Sequence, residues 1–413
     1  MTENEKTKKT PALRFKGFTD DWEQRKVSEI TKFHKQGFYT TENYDSNKKY
    51  YLLRGTDITD NKLILKDTPK INATEADYQA FKTQVGDFLI VRSGTVGTYG
   101  IVYDDIPAIF GSYLIDFRFD MEQVTNEFFG YFYQSDSFKG QLRQIIQQSA
   151  NTNINAENIK STCIKLPSLD EQCAISKFFL SLDTLITLHQ KKVSSLQIIK
   201  KSMLEKMFPK EGSKVPEIRF SGFTDDWEQR KLSDIADLIG GNAWKSKDYS
   251  TDGKYLVVTI ANVSGAPYIN EVGNKINAVN NSPFILSKDD ILVSLTGNVG
   301  RVSKMSDIPA VLNQRVGKII PKFCTTDRDF LFSLLHNSHF ETAMIEAGQG
   351  AAQKNISNLD VLNYELCIPP ERREQIQIGN FFSNLDNLIT LHQKESDKLT
   401  IFKKSLLTEM FPK

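Results

Sequence analysis

Only 4 of the 413 residues are cysteine. Cys163, Cys173, Cys324 and Cys367 stand far apart, with no CxxC and no histidine pair nearby, which argues against a zinc site and a disulfide framework and points to reduced, mostly packed thiols. No apolar run approaches the roughly 18 residues that a membrane span needs, and the opening MTENEKTKKT has no apolar core of the signal-peptide kind. A cytoplasmic protein is expected. Tracts rich in Pro, Gly or Ser are missing too; at 39% hydrophobic and 25% charged residues the composition is that of a folded chain, long enough for two or three domains.

Several catalytic signatures are also missing. There is no GxxxxGK[ST], so no phosphate loop of a motor, and a methyltransferase would need a cofactor-binding glycine loop after a strand together with an Asn/Asp-Pro-Pro-aromatic motif. The single Pro-Pro, Pro369-Pro370, has neither the Asn/Asp before it nor the aromatic after it that a methyltransferase motif requires, and no PD…ExK cluster of a nuclease is apparent. Charge of one sign is scarce as well: the formal net charge is +1, with a balance of −1 over 11–165 and −3 over 215–368. A phosphate-binding chain usually shows its basic face in the total.

What is present is a repeat. GFTDDWEQRK occurs at Gly17–Lys26 and again, letter for letter, at Gly222–Lys231. The likeness extends over Pro11–Ile30 and Pro216–Ile235, and a second block, Phe178–Lys210, returns as Phe381–Lys413. The chain is therefore written A-B-A′-B′, with shared edges around two diverged interiors. Faint echoes persist inside, such as Gly86–Gly97 against Lys288–Gly300, which keep an Asp, an apolar run and a GxxG. Those glycines, Gly94/Gly97 and Gly297/Gly300, suit tight turns better than phosphate loops.

The B segments read as long helices. Ile175, Phe179, Leu182, Ile186, His189, Val193, Leu196, Lys200, Met203 and Met207 step by fours and threes, and Ile378, Phe382, Leu385, Ile389, His392, Leu399, Lys403, Leu406 and Met410 repeat the stripe. About 40 residues each gives about 60 Å of helix. Ser168 with Glu171 forms a capping box at one start, Pro370 opens the other, and Pro209 and Pro412 end them. Such stripes are expected to bury each other as an antiparallel pair, with His189 and His392 as polar register-setting residues rather than metal ligands. The A segments show short strands at 50–54, 88–91, 100–103, 114–119, 255–260, 291–295 and 316–320, with helices following Glu23 and Glu228, at Asn126–Gln134 and at Asp329–Ala347, which makes the fold class α+β.

The pattern PxxRFxGFxDxWE at Pro11–Ile30 and Pro216–Ile235, followed by Pro167-Ser-Leu-Asp-Glu171-Gln172 and Pro370-Glu-Arg-Arg-Glu374-Gln375 at the helix starts, resembles the DNA sequence-specificity (S) subunit of type I restriction–modification systems. The resemblance runs over nearly the whole chain, in duplicate and in order. It implies two target-recognition domains that each read half of a split DNA sequence, and an antiparallel coiled coil that spaces them and docks two methyltransferase subunits, in a pseudo-two-fold design. It divides the chain into a disordered tail at 1–10, recognition domains at 11–165 and 215–368, and helical regions at 166–214 and 369–413. S-adenosylmethionine is then expected on the methyltransferase partners, ATP and Mg on restriction subunits, and no cofactor or catalysis on this chain. The rival reading is a coiled-coil adaptor that binds only proteins.

Base reading requires Arg, Lys, Asn, Gln, Ser or Thr on exposed loops. The candidates are Arg54, Arg92, Ser93, Thr95, Asn151 and Asn153 in the first domain. In the second they are Asn298, Arg301, Asn313, Gln314, Arg315, Gln353 and Lys354. Trp22, Trp227, Phe178 and Phe381, kept in both copies, are assigned to partner docking, the tryptophans as core anchors beneath that surface.

Overall fold

The computed structural model describes residues 10–411 except 42, 46, 93–97, 149–153, 211, 278–281 and 349–354. The expected tail at 1–10 therefore lies almost wholly outside the described residues. Contacts divide the chain into two units, 1–188 with 395–413, and 189–394. The division cuts both long helices rather than following the repeat.

In the first unit, Thr31–Gln36, Leu114–Phe119, Phe88–Val91 and Tyr99–Ile101 form an antiparallel sheet in that order. Its central strand Phe88–Val91 is apolar on both faces because both faces are covered. Phe88, Ile90, Ile115, Phe117 and Phe119 point into one core. Leu89, Val91 and Leu114 point into another, as a period of two requires. The first core is closed by helix Asn126–Gln134 and by the near ends of the long helices. The second is closed by a small sheet in which Tyr50–Leu53 runs parallel to Ala108–Phe110.

The second unit repeats this plan beneath its unlike sequence. Ala236–Gly240, Val316–Pro321, Ile291–Ser294 and Val302–Lys304 take the same order, and Tyr255–Val258 runs parallel to Ala310–Leu312. The duplication thus holds in the order of the large sheet and in the parallel pair of the small one, although the small sheet has three strands in the first unit and five in the second.

Three expectations need adjustment. Glu23–Lys26 and Glu228–Lys231 are strands, paired with Cys163–Leu166 and Glu365–Ile368, and only single helical turns follow them at Val27–Glu29 and Leu232–Ile235. The ladder partner lies more than a hundred residues away, so local propensity does not reveal it. The helix expected at Asp329–Ala347 is two, Arg328–Leu335 and Ser338–Ala347, because the Asn337 side chain accepts from the amides of His339 and Phe340 and caps a fresh start. The capping box at Ser168 is half made: Ser168 Oγ accepts from Glu171 N–H at 3.4 Å, while the Glu171 carboxylate turns to Arg14.

The long helices are Leu169–Lys206 and Arg372–Met410, 38 and 39 residues. Within the first unit Lys403, near the end of one, lies 2.7 Å from Asp183 in the first half of the other. Within the second, Lys200 lies 2.6 Å from Asp386, the same pair with roles exchanged. The helices therefore run antiparallel, and His189 meets its own counterpart His392, 203 residues on, Nδ1 to Nδ1 at 3.1 Å. One ring must donate and the other accept.

Candidate nucleic-acid interface

The letter-for-letter repeats build a frame. Trp22, only 3% exposed, packs on Phe128 and Phe411 at ring distances of 5.9 and 6.5 Å. Trp227, 1% exposed, packs on Phe330 and Phe208 at 6.0 and 6.1 Å. In each unit the tryptophan of one copy thus closes on the helix-ending Phe of the other copy, which explains why the GFTDDWEQRK and MFPK segments are preserved together. Both indoles lie in cores, while Phe178 and Phe381 are half-buried against Phe15 and Phe220.

The Glu-Gln pairs at the helix starts complete the frame. Arg14 grips buried Glu171 through two hydrogen bonds of 2.7 Å, and Arg219 grips Glu374 at 2.7 and 2.8 Å. Gln172 accepts from Thr125 N–H and donates to the carbonyls of Gln123 and Pro167. Gln375 does the same with Asp327, Thr325 and Pro369. Each Gln therefore ties the start of a long helix to the start of the helix that covers the lobe's sheet.

At the opposite edge of each large sheet, loops meet in a rim. The chain after the first strand touches the turn before the second so closely that a Cβ on Gly37 would stand 2.1 Å from Gly111 O, and one on Gly241 2.2 Å from Asn313 O. Glycine is required at both crossings. Across the sheet, Arg92 N–H donates to Tyr113 O at 3.0 Å, and Leu295 N–H donates to Arg315 O at 3.0 Å. In the second unit the turn is pinned further: Gln314 N–H reaches Asn242 O, Arg315 N–H reaches Asn313 Oδ1, and Val316 N–H reaches Asn313 O. The side chains of Gln314 and Arg315 remain exposed on that fixed backbone.

The remaining candidates sort by partner. Asn298 is exposed on a turn held by the Ser294 hydroxyl, with Gly297 and Gly300 at positive φ, as a tight turn needs. Asn313 is buried and serves its own turn. Arg301 lies 3.4 Å from Glu341. Arg54 is folded onto buried Asp57, whose carboxylate also accepts Arg54 N–H; Asn262 does the same for Thr259 N–H in the second unit. Arg54 is thereby part of a turn brace. Ser93, Thr95, Asn151, Asn153, Gln353 and Lys354 lie outside the described residues. The structure adds Tyr113, 65% exposed at the position corresponding to Arg315, and the Thr296–Asn355 hydrogen bond of 2.7 Å. Aligning the two copies through Leu114 and Val316 would have pointed to Tyr113.

Behind the rims the two lobes solve one electrostatic problem differently. Asp87 and Asp290 each accept an amide three residues back, at 2.7 and 2.8 Å, closing equivalent turns. Asp290 is paired with Lys318 at 2.6 Å. The corresponding residue in the first lobe is Asp116, fully buried, which shares Arg118 with Asp87. Burial, then the charge of Asp87, pushes its carboxyl up to about 8, against the pull of Arg118. In the helix seam, burial lowers Lys200 and raises Asp386. Burial and the Lys200 charge push His336 down to about 3; its Nε2 donates to Gly265 O at 2.7 Å and its Nδ1 faces Lys200.

Among the described residues no group of three or more His, Cys, Asp or Glu could hold a metal ion, and no helix is long and apolar enough to cross a membrane.

A family model described as the type I restriction modification DNA specificity domain matches the chain twice, at residues 19–197 and 224–400. The chain is 30% identical over 263 residues to the type I restriction enzyme MjaVIII specificity subunit of Methanocaldococcus jannaschii, a match spanning 61% of either chain and so less than two thirds of that relative. It is 24% identical over 412 residues to the putative type I restriction enzyme MjaX specificity subunit of the same organism, covering 94% of this chain and 92% of that one. In fold it is similar to the crystal structure of a type I restriction–modification system S subunit from M. genitalium, with a TM-score of 0.66 at 17% identity over 98% of this chain and 99% of the other.

Proposed function

The chain belongs to the type I restriction–modification DNA specificity subunits, and from that premise we propose that it selects a two-part DNA sequence for enzymes that it does not itself contain. Each lobe reads one half-site through its rim. The observation that carries this reading is the contrast between two lobes with the same sheet order and rims of different side chains, Tyr113 against Arg315 and Phe38 against Asn242. A shared scaffold with changed side chains is how one binding plan takes two targets.

The helices dock two methyltransferase subunits and set the length of the unread spacer. In support, both helices expose apolar side chains at the same positions of the repeat: Leu185 and Leu388, Leu188 and Leu391, Ile198 and Ile401, Ile199 and Phe402. Ile198 and Ile401 are each 71% exposed, a poor arrangement for a surface that meets only water. Phe178 and Phe381 border this frame, with Trp22 and Trp227 beneath it. S-adenosylmethionine belongs to the methyltransferases, and ATP and Mg to restriction subunits where a cell has them. The complex works in the cytoplasm, where its DNA is.

Recognition domains with a slightly acidic balance are poorly suited to neutralise by themselves the roughly six to ten phosphates of a typical site. The methyltransferases supply that charge, so this chain alone binds DNA weakly. The experiment is genome-wide mapping of methylated adenine with and without the chain. A two-part motif that disappears with the chain is expected. Methylation that persists unchanged would leave only the protein-binding adaptor.

A further inference from the structure

Most arginines of the lobes are tied to a carboxylate. In the second, Arg219, Arg230, Arg301 and Arg328 lie 2.7, 2.6, 3.4 and 3.6 Å from Glu374, Glu228, Glu341 and Asp289. Arg315 is the exception: among the described residues its guanidinium has no hydrogen bond or ion pair. In the first, Arg14, Arg25, Arg54 and Arg118 are paired with Glu171, Glu23, Asp57 and Asp87. Arg92 and Arg143 are not, among the described residues. Arg143 sits on helix Asp136–Gln148 and lines a cavity with Trp22 and Phe411, beside the common frame. Arg92 is at the rim.

Arg92 and Arg315 occupy the two sides of one structural step. Val91 pairs with Leu114 and Ser294 with Val316, so the strands correspond residue for residue. The next rung is Arg92 N–H to Tyr113 O in the first lobe and Leu295 N–H to Arg315 O in the second. The guanidinium has crossed the rung, from the strand end in one lobe to the facing turn in the other, while the rung has stayed.

We propose that Arg92 and Arg315 are the guanine-reading residues of the two half-sites, one in each lobe. The assignment rests on the functional reading above, that these rims meet DNA. A guanidinium without a carboxylate keeps its planar fork of N–H donors for the O6 and N7 acceptors of guanine, the pairing its geometry fits best. A main-chain rung behind it fixes the Cα, so little backbone freedom is lost on binding. A contact to phosphate is the other fate of a free arginine, and it carries no sequence information.

The test uses the complete complex with its methyltransferases and binding to duplexes in which each base pair of the site is changed in turn. For the wild type, changing the guanine pair read by one of these residues should weaken binding about ten- to a hundredfold. Arg315→Ala should abolish that penalty at one G·C pair of one half-site, Arg315→Lys should reduce it without restoring it in full, and every other penalty should stay in place. Arg92→Ala and Arg92→Lys should do the same in the other half-site. Three results overturn the assignment: an unchanged pattern of penalties, equal weakening on all duplexes with lysine as a competent replacement, or a wild-type half-site with no essential G·C pair. Absence of any sequence dependence in the wild-type complex would instead reject the underlying functional reading.

Discussion

Replacing Asp116 with Asn should stabilise the protein, and only above acid pH. Asp116 is fully buried beside Asp87, itself 1% exposed, and the two carboxyls share the single cation of Arg118. The pair holds a proton that an unfolded aspartate, with a pKa of about 3.9, has already released. Because the folded-state value is raised to about 8, the folded chain binds more protons than the unfolded one between those limits, and stability falls as pH rises through that window. At pH 7 the span of about three pH units sets an upper bound of about 4 kcal/mol at 1.36 kcal/mol per unit. Local rearrangement leaves roughly 1–3 kcal/mol for Asp116→Asn to recover. Asn cannot ionise, so its benefit at pH 5 should be only about a quarter of the full effect, which is developed by pH 8.5. Copying the second lobe, where Lys318 faces Asp290 at 2.6 Å and Ile320 stands at the position of Arg118, takes the double change Asp116→Lys with Arg118→Ile, which should stabilise in the same direction. The assay is thermal melting of the complete chain at both pH values, where roughly 2 kcal/mol in a unit of this size moves the first transition by about 4–8 °C. Equal shifts at pH 5 and pH 8.5, or destabilisation by Asn at both, would refute the reasoning.

Other outcomes follow from the frame and the seam. Phe411→Ala should destabilise the first unit by about 3–5 kcal/mol and Phe208→Ala the second by a similar amount, read as selective loss of amide protection in the strands of one unit by hydrogen exchange. Arg14→Ala leaves Glu171 buried and unpaired, at a cost of about 3–5 kcal/mol; Arg14→Met with Glu171→Leu should regain most of it in urea unfolding. His336 should stay neutral, with its proton on Nε2, from pH 5 to pH 8, so its ring carbon–proton signals should not titrate by NMR over that range.

The parts legible in the sequence were those set by neighbours along the chain. Four apolar residues in a row at Phe88–Val91 and the four-three steps from Ile175 onward announce a covered strand and a helical seam from local pattern alone. Hidden from that view were pairings across long separations. The strand Glu23–Lys26 exposes all four side chains and owes its form to a partner at Cys163–Leu166. Trp22 announces a core, but its partner Phe411 ends a helix on the far side of the whole second copy. The rim residues were recognisable by type. Arg92 and Arg315 could not be matched by aligning the copies, since Arg92 aligns with Leu295 and only the hydrogen-bonded rung relates the two arginines.

The central claim is that each lobe reads its own half-site independently of the other. Replacing residues 11–165 by the corresponding segment of a relative with another target, then sequencing the methylated sites, tests it most directly. The account predicts that one half of the motif changes to the relative's and the other half is untouched. An unaltered motif, or simultaneous change in both halves, would contradict it.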